Sequence, residues 1–242
     1  MRIRFFLYAS HNSIHSPLLE NEELINKYKV KRNSTLPENN PVIGAMIETL
    51  DESVGTILNK IKELDLENNT IVLFFSDNGH HGQKSGTPFR GSKGDLYEGG
   101  IRMPLIVRWP GVTRSDSVCE GVVISNDFFP TFNDIDGVSF FPLLKDSNVS
   151  LDREAIYWHF PHYHGAGLGP QGAIRMGPYK LIEWFEKLAY GESDAFELYD
   201  LVNDPNEQEN LADTMPEVTA KLKDKLKAWR EQVGAQMMTK RK

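Results

Sequence analysis

The sequence predicts an α/β fold in two parts. Three observations carry this: a long stripe of apolar residues at helical spacing, short β-branched runs before and after a glycine-rich stretch, and a second half built of closely spaced strands ending in a helix. The expected architecture is a mixed sheet flanked by helices over residues 1–120, then a small antiparallel sheet with a C-terminal helix over 121–242.

Phe5 to Ala9 is a short apolar run, read as a buried strand. Residues 10–41 are polar, with a short helix expected at Asn21 to Tyr28. From Val42, the residues Ile43, Met46, Ile47, Leu50, Val54, Ile57, Leu58, Ile61 and Leu64 follow three- and four-residue steps, which predicts one long amphipathic helix. Glu67-Asn68-Asn69 ends it. Thr70 to Phe75 then predicts a strand buried on both faces. Ser76 to Gly100 holds seven glycines and almost no apolar pattern, so it reads as a long functional loop. Ile101 to Trp109 predicts another buried strand. Helix, strand, loop and strand in this order predict a sheet with crossover connections. Later come short helices at Asn126 to Phe132 and Phe140 to Leu144. Strands follow at Ala155 to Phe160, Ala173 to Met176, Tyr179 to Phe185 and Phe196 to Leu201, with a turn at Gly177. A last helix runs from Pro216 to Val233, with proline at its start and Gly234 past its end.

Composition excludes several classes. The net charge of −7 over 242 residues speaks against a nucleic-acid binder. No apolar run approaches the ~20 residues of a membrane-spanning helix. A single cysteine, Cys119, excludes an internal disulfide framework and a cysteine-rich zinc site, and it reads as a small buried residue. The start, "MRIRFFLYAS", lacks a cleavage pattern and reads as a strand, not a signal peptide. Composition leaves the compartment unknown.

Three stretches carry candidate chemistry. In "IVLFFSDNGHH", Asp77 and Asn78 follow a strand, where ligands bind in open α/β sheets. Their hard oxygens suit Ca²⁺ or Mg²⁺, while Asn78-Gly79 equally favours a simple turn. In "RGSKGDLYEGG", Lys93 stands between Ser92 and Gly94, free to reach an oxyanion or to be a solvated surface lysine. In "FFLYASHNSIHSP", His11 and His15 lie just past the first strand, as possible acid groups or packing residues.

Together, strand-then-H-S-P, the long helix, strand-then-S-D-N-G and G-S-K-G-x-x-Y-E-G-G-x-R-x-P resemble the sulfatase family, in its C-terminal portion. "NDFFPT", "DGVSFFPLL", "AIYWHFPHYH", "AIRMGPYKLIEW" and "FELYDLVNDPNEQENLA" extend the resemblance over nearly the whole chain. It implies a sulfatase-like mixed sheet and a sulfuric ester hydrolase of arylsulfatase type within the alkaline-phosphatase superfamily. It assigns Asp77 and Asn78 to the family's Ca²⁺ and Lys93 to the sulfate. It assigns His15 to the sulfate and to the leaving oxygen. His162, with His80, His81, His159 and His164, could line the substrate rim. The expected ligand is a sulfated small molecule or glycan, and the family's compartments are periplasmic, secreted or lysosomal.

The family nucleophile is a formylglycine made in a C/S-x-P-x-R motif, and this sequence has no such motif. Cys119 lacks the following Pro and Arg. In "SGTPFRG", Ser85 is one residue too far from Pro88. Two further acidic metal ligands, normally beside that motif, are also missing. The chain therefore reads as truncated, with a missing N-terminal sulfatase segment as its expected partner, in cis or from another chain. Two other readings stay open: a non-catalytic sulfated-glycan-binding remnant, and a related phosphatase or phosphodiesterase.

Overall fold

The computed structural model describes residues 4–31, 39–81, 88–132 and 137–239. They divide at Thr70 into two compact units, each taken by itself below.

In the N-terminal unit, helix α1 (Glu22–Lys29) is capped by Asn21, whose side chain accepts from the Glu23 N–H. Glu22 and Glu23 in its first turn and Lys27 and Lys29 in its last suit the helix dipole. Helix α2 (Pro41–Glu63) starts the same way, with the Asn40 side chain accepting from Val42 N–H and Pro41 in the first turn. Gly44 lets the two helices meet, because a Cβ there would lie 2.6 Å from Tyr28 Cδ1. Lys27 Nζ bonds Glu48 at 2.5 Å across the same contact. These helices match the sequence expectation. The expected strand at Phe5 to Ala9 does not form. Phe6 is 87% exposed, and its neighbours Phe5 and Leu7 are more than half exposed at 57% and 59%. An apolar β-prone run becomes a strand only where a neighbour takes its backbone hydrogen bonds, and the two sheets described use other segments.

In the second unit, β1 (Val72–Phe75) pairs antiparallel with β2 (Leu105–Arg108), from Val72 opposite Arg108 to Phe75 opposite Leu105. This corrects two expectations. The connection from β1 to β2 is not a parallel crossover. Nor are the strands buried on both faces: Phe74 is 42% and Ile106 61% exposed. Among the described residues each strand has one partner only, so neither is flanked on both edges. The intervening segment ends in a short helical turn, α3 (Glu98–Ile101), which takes up the residue expected to begin β2. Further short helices, α4 (Phe128–Phe132) and α5 (Phe141–Lys145), fall where expected.

The C-terminal half is a four-stranded antiparallel meander. Its strands β3 (Ile156–Phe160), β4 (Gln171–Met176), β5 (Tyr179–Trp184) and β6 (Phe196–Asp200) lie in chain order. Gly177, at φ 57°, makes the β4–β5 turn. A short helix α6 (Phe185–Tyr190) follows β5, with no signal in the apolar pattern. Helix α7 (Pro216–Val233) closes on Gly234 at φ 66°, a left-handed stop that glycine adopts without strain. Side chains alternate across the sheet. Ile174, Leu181 and Leu198 face Leu222 and Leu226 of α7. Ala173, Ile182 and Tyr199 face Leu96 and Tyr97 of the glycine-rich segment. The sheet is therefore covered on both sides, and one cover carries Lys93. At about 1.5–3 kcal/mol per large apolar side chain, these two interfaces are main contributors to the unit's stability.

Candidate functional site

After β1 the chain bends at Asp77 and Asn78 without forming a hairpin, because the partner of β1 begins only at Leu105. Asn78 Nδ2 donates to Asp77 Oδ2 at 2.6 Å, and Ser76 Oγ donates to Asn78 O at 3.0 Å. The next residues join the lysine segment through the backbone. Gly79 N–H donates to Gly100 O at 2.9 Å, and Lys93 N–H donates to His80 O at 2.7 Å. Gly79 has no room for a side chain, since a Cβ would fall on Gly99 O. Asp77, Asn78 and Lys93 thus share one hydrogen-bonded piece of chain.

The lysine turn is built from its neighbours. Asp95 Oδ2 accepts from Ser92 N–H at 2.9 Å, and Asp95 N–H donates to Ser92 O at 2.9 Å. Gly94 takes φ 94°, a backbone state open to glycine. Lys93 is half-buried within this turn. Gly99 lies against the preceding chain, where a Cβ would come within 2.5 Å of both Arg90 O and Gly91 O.

The meander holds this segment with buried polar groups that the sequence did not single out. Leu96 N–H donates to Gln171 Oε1 at 3.0 Å, and Glu98 N–H donates to Glu207 Oε2 at 2.7 Å. Lys180, fully buried in β5, pairs with Glu98 at 2.9 Å and with Glu207 at 2.6 Å. Burial raises the Glu207 carboxyl above its ordinary value, against the opposing pull of Lys180. Arg90 donates to Tyr199 OH at 2.8 Å and to Glu207 O at 2.9 Å, with its guanidinium 4.1 Å from the Tyr97 ring centre. Tyr97 and Tyr199 both donate to Glu197 Oε2. Burial, then the Glu197 carboxylate, pushes both phenols far up, so they stay neutral donors. The one available signal was Lys180, a charge in the apolar run "YKLIEW".

The histidines fall in different places. His15 belongs to the N-terminal unit, where Nδ1 lies 2.7 Å from Ser16 O. His11 Nε2 lies 2.9 Å from Ser53 Oγ of α2. His159 Nε2 lies 2.8 Å from Gln236 O, with its ring against Phe185. His162 and His164 are exposed on the loop after β3, each edge-on to Phe160. Cys119 is exposed, contrary to expectation. It sits in the exposed run "TRSDSVCEG", where even the neighbouring Val118 is 78% exposed. Ser85 lies outside the described residues.

A metal can be tested against the donors present. Asp77 offers a carboxylate, and Asn78, its nitrogen turned onto Asp77, offers Oδ1. Both are hard oxygens suited to Ca²⁺, which takes about six to eight of them. Among the described residues no group of three or more His, Cys, Asp and Glu could hold a metal. The two side chains fit part of a coordination sphere only.

An Asp-Asn pair joined through the backbone to a lysine turn, beside a covered antiparallel meander, defines an α/β protein whose candidate polar groups lie in one hydrogen-bonded segment. The chain belongs to the sulfatase family: the family pattern "Sulfatase" matches residues 4–138, and "N-sulphoglucosamine sulphohydrolase, C-terminal" matches residues 92–232. A sulfatase of Formosa agariphila is 33% identical, covering 93% of this chain and 46% of its own length. An N-acetylglucosamine-6-O-sulfatase of Bacteroides thetaiotaomicron is 31% identical, over 69% of this chain and 31% of its own length. A solved structure from work on glycosaminoglycan metabolism by Bacteroides thetaiotaomicron superposes with a TM-score of 0.72 at 25% identity. It covers 90% of this chain and 48% of that one. The chain thus spans less than half the length of these relatives.

Proposed function

We propose that this chain supplies the sulfate-holding side of a sulfuric ester hydrolase acting on sulfated sugars. One observation carries the reading: the Lys93–His80 and Gly79–Gly100 backbone bonds join Lys93 and the Asp77-Asn78 pair in one hydrogen-bonded piece. In this reading Lys93 binds a sulfate oxygen as a compact positive charge. Asp77 and Asn78 contribute two ligands to Ca²⁺, which would polarise the sulfate and stabilise charge in the transition state. His15 protonates the leaving oxygen, and His162 contacts the substrate. The sugar substrate is inferred from relatives named for 6-O-sulfated N-acetylglucosamine and N-acetylgalactosamine.

The sequence contains no C/S-x-P-x-R nucleophile motif, so turnover requires a polypeptide that carries one. The experiment is sulfate release from an aryl sulfate, by this chain alone and with a family N-terminal segment added. Turnover is expected only in the second case, and it should fall at least about a hundredfold with Lys93→Ala, the scale seen when one charge-stabilising donor is removed. Metal-dependent turnover by this chain alone would overturn the divided site. Preferential release of phosphate from an aryl phosphate would move the protein to the phosphatase class.

A further inference from the structure

Resting on the reading of Lys93 above, we infer that Glu207, on the connection between β6 and α7, is a positioning residue for that lysine. It pins both ends of the segment that carries Lys93, and sulfate affinity depends on it.

The segment needs such a pin. Gly91 at φ 79° and Gly94 at φ 94° stand on either side of Lys93. Glycine leaves a backbone many alternative states, so a lysine between two of them keeps one position only if the ends of its segment are held. Glu207 holds both. Its backbone carbonyl accepts from Arg90 Nη1 at 2.9 Å, and its Oε2 accepts from the Glu98 N–H at 2.7 Å. Gly99 N–H donates to Arg90 O at 2.7 Å and draws the same two ends together. Residues 91–97 therefore form a loop with a closed base, and Lys93 lies on it. The pin also reaches Asp77 and Asn78. Glu207 takes the first N–H of α3, and α3 carries Gly100, whose carbonyl accepts from the Gly79 N–H.

The backbone of Glu207 is strained for this role. Glu207 is fully buried and has φ 56°, a left-handed state uncommon for a residue with a side chain. Such a state persists where the surrounding structure over-determines it. Here Glu207 N–H donates to Asp204 O at 3.1 Å, while Asp204 Oδ2 accepts from Gln208 N–H at 2.7 Å and Glu209 N–H at 2.9 Å. In the resulting turn, the carbonyl and the carboxylate of one residue both meet the segment from Arg90 to Glu98. Lys180 Nζ, 2.6 Å from the carboxylate, offsets its charge. That ion pair neutralises; the bonds to Arg90 and Glu98 are directional, and they fix where the loop stands. A loop held in place before its ligand arrives loses less freedom on binding, which raises affinity.

The test is calorimetric titration of this chain with inorganic sulfate, at a temperature where circular dichroism shows each variant folded. Glu207→Ala should weaken sulfate binding about tenfold, the scale of one lost hydrogen bond to a charged group. Glu207→Gln keeps an acceptor for the Glu98 N–H and the carbonyl for Arg90 but loses the charge. It should lower the melting temperature yet hold sulfate binding within about threefold. In a Lys93→Ala background, Glu207→Ala should cost less than about twofold, because a residue acting through Lys93 then has nothing to position. Arg90→Lys loosens the other end of the segment and keeps the charge. It is the second variant if Glu207→Ala does not fold, with the same losses expected in both backgrounds. A lower melting temperature with unchanged sulfate affinity, or a full loss repeated in the Lys93→Ala background, would overturn the inference and leave the Lys93 reading standing. Failure of the unaltered chain to bind sulfate, or binding unchanged by Lys93→Ala, would instead defeat the reading on which it rests.

Discussion

Gly79 shows how much of this site depends on the absence of a side chain. In the sequence, Asn78-Gly79 is an ordinary hairpin signal, and Asp77-Asn78 is equally a turn or a metal seat. The structure makes Gly79 a point of contact, donating to Gly100 O with no space for a Cβ. Gly79→Ala should cost about 1–3 kcal/mol, the usual range for overpacking, as a lower urea midpoint with an unchanged slope. A midpoint equal to that of the unaltered protein would mean the two segments separate easily. Asp77→Ala bears on the proposed cation. It should abolish any Ca²⁺-induced rise in melting temperature, and a rise that survives would place Ca²⁺ elsewhere.

Among the elements, β5 holds the largest surprise. "YKLIEW" reads as a strand, with no role expected for its lysine. Instead Lys180 is fully buried between Glu98 and Glu207, where it fastens the lysine segment to the meander. Lys180→Met removes the shared cation from two buried carboxylates and should destabilise the protein by about 3–5 kcal/mol. The sign of the pH dependence follows from Glu207. Its carboxyl is raised above the ordinary 4.5 by burial, so its contribution is full below that value and is lost as pH rises through the higher folded value. Without Lys180 the carboxyl rises further, so the deficit of Lys180→Met should shrink between pH 7 and pH 5. Urea midpoints at the two pH values check this, and an equal deficit at both would contradict it. By contrast, α2, α7 and the four strands of the meander were legible almost to the residue. Their signals are local: helical spacing, strand alternation, Pro216 and Gly234 at the ends of α7. The partners of Lys180 lie 82 and 27 positions away in the chain, beyond the reach of any local pattern.

For the whole molecule, the sheet of β1 and β2 leaves Phe74, Phe75 and Ile106 open to solvent. Apolar groups gathered on a sheet with unpaired edges attract other strands. The chain should therefore enhance the fluorescence of an apolar dye, and Ile106→Lys should reduce that signal without lowering the melting temperature. An unchanged signal would place the dye elsewhere. By itself the sequence determined the family, the α/β class and the order of nearly all elements, because these reside in local patterns and short motifs. Only the tertiary structure decided that Asp77-Asn78 and Lys93 share one backbone-bonded piece. Only it showed that buried charges from the meander hold that piece, and that the apolar runs at Phe5 and Phe74 stay exposed. Those outcomes depend on which distant groups meet, and burial and hydrogen bonding between distant groups are set when the chain packs.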